Sequence, residues 1–184
     1  MTDVILPADQ HVLLQCAREA IRARLRRQAP VYPPASASLD EECGAFVTLR
    51  LGGELRGCIG HVAACQTLLD AVKSAAVAAA FNDPRFPPLT PAEFADVRIE
   101  ISVLSPFERI ADAARVQPGT HGVMIRNGYR SGLLLPQVAT EQGWDRETFL
   151  SHACRKAGLP PDAWRSPPTT IDIFTAAVFH ERQE

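Results

Sequence analysis

The segment from Val97 to Leu104 (VRIEISVL) sets Val97, Ile99, Ile101 and Val103 on one side of an extended chain and Arg98, Glu100 and Ser102 on the other. A period of two is incompatible with a helix, and β-branched residues at the apolar positions make this a strand in the interior of a sheet. Such a strand needs neighbours, and the sequence supplies them. Ala45 to Leu51 alternates Val47, Leu49 and Leu51 against Phe46, Thr48 and Arg50, and Gly52-Gly53 leads into a second alternating segment, Glu54 to His61. Together these read as a β-hairpin. Gly122 to Leu135 holds Asn127-Gly128 between VMIR and SGLLL, the strongest short hairpin signal. Ile171 to His180 (IDIFTAAVFH) reads as one last strand.

Helices punctuate these strands. From Asp9 to Gln28, Leu14, Ala17, Ile21 and Leu25 recur at helical spacing, with Arg18, Arg22, Arg24, Arg26 and Arg27 on much of the remaining surface. Thr67 with Asp70 opens an alanine-rich helix to about Phe81, Thr90-Pro91-Ala92-Glu93 is a capping box with proline at the first helical position, and Asp145 caps a helix through Ala157 that Gly158-Leu159 terminates. Two hairpins and a strand that must pair elsewhere predict an α+β chain with antiparallel sheets. The second hairpin and its helix form a smaller inserted subdomain, residues 108–168. Residues 1–107 and 169–184 then make up the larger subdomain with both termini.

Composition narrows the function classes. At 184 residues and 46% hydrophobic, the chain buries a sizeable core without disulfide staples. The formal net charge of −2 gives no field that favours nucleic acid, and one basic helix in a slightly acidic chain reads as a solvated face. The five cysteines, Cys16, Cys43, Cys58, Cys65 and Cys154, include no Cys-x-x-Cys pair, the N-terminus lacks a signal-peptide pattern, and no run approaches the roughly 20 apolar residues of a membrane span. A cytoplasmic location without a membrane anchor is expected.

The segment with the most unusual chemistry is Leu55-Arg56-Gly57-Cys58-Ile59-Gly60. Alternation puts Arg56 and Cys58 on one face, where a guanidinium would favour the thiolate, and the two glycines admit another backbone or a ligand. A small buried cysteine in a glycine-weakened strand is the plainer reading.

This hexapeptide, with FVTL before it and NDPRFPPL, IEISVLSP, HGVMI, GLLLPQVA, KAGL and the closing Phe174, Ala176, Phe179, Glu181 pattern after it, resembles the hallmark of the AMMECR family. Prokaryotic members are called AmmeMemoRadiSam system protein A. The resemblance spans nearly the whole chain. It implies two subdomains of unequal size, each with an antiparallel sheet and flanking helices, and a large cleft between them at the hexapeptide that is not positively lined. It also implies a modification pathway shared with a Memo-like protein and a radical S-adenosylmethionine enzyme. Pro30 to Leu39 and the segment from Ile110 to Thr120 match no family motif, and His61 has no fixed counterpart.

Further candidates follow. Asp83 and Arg85 sit in the proline-braced loop NDPRFPPL, either as binding groups or as a mutual ion pair that fixes the loop. His121, between Gly119 and Gly122, could serve as a general acid or base if it faces Cys58, and His61 offers a second imidazole. Cys58, His61 and Cys65 lack a clear fourth ligand, since Cys43, His121 or Cys154 would have to arrive from afar, so no metal is expected. His11, His152 and His180 read as surface or helix-terminal residues. No glycine loop opens a helix in a βαβ unit, so neither ATP nor NAD is expected, and no cofactor is assigned. Two functions compete. In one, Cys58 is a nucleophile in an enzyme or enzyme component, with Leu55, Arg56, Gly57, Ile59, Gly60, His61, Asp83 and Arg85 contacting a bulky substrate, a protein above all. In the other, the same surface belongs to a non-catalytic protein-binding adaptor.

Overall fold

The computed structural model of the chain describes residues 5–62 and 65–181. It is an α+β structure with two four-stranded antiparallel sheets in two compact units, Met1–Leu104 with Ala177–Glu184 and Ser105–Ala176.

In the first unit the sheet order is β2-β1-β3-β8, with β1 at Ala45–Leu51, β2 at Glu54–His61, β3 at Arg98–Leu104 and β8 at Ala176–His180. Two helices, α1 (Pro7–Arg26) and α2 (Leu68–Phe81), cover one face. Leu13, Ala17 and Ile21 of α1 and Ala71, Val72, Ala75, Ala76 and Ala79 of α2 meet Val47, Leu49, Ile99 and Ile101 in one core. The alanines of α2 bring its backbone close to the strands. Thr67 accepts the Asp70 N–H at the start of α2, as its spacing predicts. Two of the arginines on α1 are engaged by carboxylates: Arg18 pairs with Glu181, and Arg22 with Glu19. A short helix, α3 (Pro91–Asp96), carries the complete capping box of Thr90 and Glu93.

In the second unit the order is β4-β7-β5-β6, with β4 at Glu108–Ile110, β5 at Gly122–Asn127, β6 at Arg130–Leu134 and β7 at Thr170–Phe174. The helix α5 (Arg146–Lys156) packs Phe149, Leu150, Ala153 and Cys154 against Val123, Ile125, Ile171 and Ile173. Asp145 caps it by accepting the Thr148 N–H, and Gly158, with a φ of 70°, ends it.

Two expectations need correction. The segment from Ile171 to His180 is not one strand: it breaks at Thr175, so that β7 joins the second sheet and β8 the first. Thr175 and Ser105 exchange bonds instead, the Ser105 N–H donating to the Thr175 carbonyl and the Thr175 N–H to Ser105 Oγ, each at 2.9 Å. The apolar alternation of Ile171, Ile173 and Phe179 runs through the break without a change of phase, so periodicity alone carries no sign of it. Pro136 does more than stop β6: it occupies the first turn of a further helix, α4 (Pro136–Gln142), where its missing N–H costs nothing.

Candidate functional site

The hexapeptide Leu55–Gly60 lies on β2, an edge strand that among the described residues pairs only with β1. Its glycines have separate structural reasons. A Cβ on Gly57 would sit 2.2 Å from the Ala79 carbonyl oxygen, so this glycine lets α2 rest directly on the strand. A Cβ on Gly60 would lie 2.4 Å from the Ala45 carbonyl oxygen and equally close to the Phe46 ring. Neither glycine surrounds a phosphate or opens a helix.

The register explains the placement of the other residues. Thr48 lies opposite Cys58, and Leu49 opposite Gly57, but Arg50 pairs with Leu55, leaving Arg56 as the extra residue of a bulge. Strict alternation is therefore interrupted beside Arg56, and its guanidinium does not reach the sulfur. Its Nε and Nη2 donate to the two oxygens of Glu93 at 2.8 and 3.2 Å, and Nη2 also donates to the Pro87 carbonyl at 2.9 Å. Arg56 is buried, and its Nη1 has no acceptor among the described residues. The hydrogen bonds from Arg56, with those from the Thr90 N–H and hydroxyl, lower the Glu93 carboxyl to about 2. One glutamate thus serves as helix cap and as counter-ion.

Cys58 is held from three directions. Its backbone N–H donates to Asp83 Oδ2 at 2.9 Å, its carbonyl accepts from Arg85 Nη2 at 3.3 Å, and the Thr48 hydroxyl donates to its sulfur at 3.2 Å. Asp83 and Arg85 are paired with each other, Nε to Oδ1 at 2.9 Å and Nη2 to Oδ2 at 2.7 Å. Asp83 is buried, and the Arg85 hydrogen bonds, aided by the Cys58 and Arg85 N–H groups and opposed by burial, hold its carboxyl far below the usual carboxylate range. A carboxylate and a guanidinium thus offer the outward groups of one edge residue the acceptor and donor that a neighbouring strand would have offered. Cys58 as a residue is partly buried, and Leu55 is exposed at the start of the hexapeptide.

The two candidate imidazoles have partners within their own units. His61 is three residues beyond Cys58 on the same strand, so the two leave β2 on opposite faces, and His61 Nε2 meets Ser74 Oγ of α2 at 3.2 Å. His121 belongs to the second unit, where its Nδ1 accepts the Gln117 N–H at 3.3 Å. Among the described residues no group of three or more His, Cys, Asp and Glu side chains is arranged to hold a metal, and no helix is long and apolar enough to cross a membrane. Sequence reasoning missed Thr48 and Glu93 as neighbours of the motif. Thr48 was within reach, because the hairpin register pairs it with Cys58.

A family model described as AMMECR1 matches residues 14–179. A protein of Methanopyrus kandleri, MK0488, is 45% identical over 181 residues, which cover 93% of this chain and 87% of that protein. Protein TK0174 of Thermococcus kodakarensis is 41% identical, with 92% and 88% covered. Among solved structures, the crystal structure of the uncharacterized protein PH0010 from Pyrococcus horikoshii superimposes with a TM-score of 0.87 at 40% identity, covering 92% of this chain and 90% of that one.

Proposed function

Because the chain belongs to the AMMECR1 family, we propose that it is a component of a modification pathway shared with a Memo-like protein and a radical S-adenosylmethionine enzyme. It engages a protein segment at the β2 surface around Leu55–Gly60, with Cys58 as the nucleophile. The observation that carries this reading is the treatment of one cysteine. Cys16, Cys43 and Cys154 are buried, and burial pushes their thiols up, which leaves them protonated and inert. Cys65 is exposed. Among the described residues, Cys58 is the cysteine that combines incomplete burial with side chains bonded to both its N–H and its carbonyl. Fixing a residue in this way is what a reacting or docking group requires, since a loosely held one loses orientation.

A specific observation favours the adaptor reading as the second. The hydrogen bond that reaches the sulfur comes from Thr48, and among the described residues no imidazole or carboxylate bonds to it. Three variants separate the readings in a pathway reconstituted with the Memo-like and radical S-adenosylmethionine proteins. If Cys58 is the nucleophile, Cys58→Ser and Cys58→Trp both lose output while Cys65→Ser retains it. An active Cys58→Ser beside an inactive Cys58→Trp gives the adaptor. Full activity of both Cys58 variants would remove the site from β2.

A further inference from the structure

On the second unit's sheet two guanidiniums share one carboxylate. Asp172 of β7 is buried, and Arg109 of β4 lies opposite it in the ladder, donating from Nε to Oδ1 at 2.5 Å and from Nη2 to Oδ2 at 3.4 Å. Arg126 of β5 approaches the same carboxylate, with Nη1 at 3.5 Å from Oδ2, and its guanidinium lies 5.7 Å from the centre of the Phe107 ring. The arginine side chains remain about half open to solvent, 53% and 44% exposed, while that of Asp172 is 5% exposed.

The arrangement carries one positive charge more than it needs. A single fork already satisfies a planar carboxylate, and a second guanidinium beside the first is repelled unless another anion joins them. Two carboxylates close in sequence to Arg109 have other partners: Glu108 pairs with Arg115 at 2.8 Å, and Asp112 accepts the Ala114 N–H at 2.8 Å. Among the described residues Arg109 keeps its Nη1 donors, and Arg126 its Nε and Nη2 donors, without a hydrogen-bonded acceptor. Ser131, across the ladder from Arg126, adds an exposed hydroxyl.

We propose that Arg109 and Arg126, oriented by Asp172, form a binding site for a phosphoryl oxyanion. The buried carboxylate is the positioning group. It turns two otherwise mobile side chains toward one region and leaves their free edges facing outward. A tetrahedral group with three acceptor oxygens can bridge two guanidinium forks and neutralise the excess charge, whereas a carboxylate has only two oxygens to divide between them. This proposal is independent of the Cys58 site.

The test is a titration of the full ¹⁵N-labelled chain with inorganic phosphate, at ionic strength held constant with chloride, following the arginine Nε–Hε signals. Saturable shifts at Arg109 and Arg126 are expected, with acetate binding about tenfold more weakly or worse. Arg126→Gln, which leaves buried Asp172 its hydrogen bonds from Arg109, should weaken phosphate binding by about tenfold or more, the loss of one charge-assisted contact. Arg130→Gln, on the same hairpin but bonded to the Gly158 carbonyl, should leave it unchanged. Linear shifts without saturation, acetate binding as tightly as phosphate, or equal effects of the two variants would each overturn the assignment.

Discussion

Gly57→Ala is expected to lower the unfolding free energy by about 3 kcal/mol, at the upper end of the usual cost of overpacking. The added carbon would sit 2.2 Å from the Ala79 carbonyl oxygen and 3.1 Å from its carbonyl carbon. These are backbone atoms of α2, which cannot rotate out of the way as a side chain can. Relief requires α2 to withdraw, and that movement opens the seam where Ala75, Ala76 and Ala79 pack against the sheet. The reference variant is Gly52→Ala in the β1–β2 turn. Gly52 has a φ of +59°, and a Cβ added there would meet nothing within 4 Å, so its penalty is the left-handed backbone alone, about 1 kcal/mol. Urea unfolding at neutral pH measures both. Equal penalties would mean that α2 does not rest on β2 as described.

Glu93→Ala should cost a similar amount, about 3 kcal/mol, because it strands the buried Arg56 without its counter-ion and removes the α3 cap. The double variant with Arg56→Met should recover most of the loss, since a buried pair replaced by an apolar side chain leaves no charge unpaired. Failure to recover would mean that Glu93 acts chiefly as a cap. The pair also sets the response to acid. The folded carboxyl, at about 2, lies below its ordinary value of 4.5, so the folded state binds the proton more weakly than the unfolded chain does. The resulting stability is fully present above pH 4.5 and is lost as pH falls through about 2. Urea midpoints between pH 7 and pH 2.5 should therefore fall, and the fall should be shallower in Glu93→Gln. Asp83 contributes in the same direction, so that variant does not become flat.

Local signals in the sequence carried the fold well. The alternation of Ile99 and Ile101, the caps at Thr67, Thr90 and Asp145 and the Asn127-Gly128 turn each act within a few residues and need no tertiary knowledge. What escaped depends on contacts between distant segments. The bulge at Arg56 turns on the fit of β2 against β1, and it sends the guanidinium to Glu93, 37 positions away in sequence, rather than to Cys58. The break at Thr175 is decided by a partner 70 residues earlier, Ser105. At the site, the type of residue was legible and the pairing was not. Asp83 and Arg85 stood out as a rigid, charged loop, but that they bind the backbone of Cys58 follows only from the path of the loop along the sheet edge.

Binding at the β2 surface should appear as a footprint on Cys58, with Cys65 of the same chain as the reference. With the Memo-like protein present at saturation, alkylation of Cys58 by iodoacetamide should slow by about tenfold or more relative to the free chain, while alkylation of the exposed Cys65 keeps its rate. Mass spectrometry of the two labelled peptides reads both rates in one sample. If partner binding is established and the Cys58 rate does not change, the hexapeptide is not the docking surface and the proposed function fails.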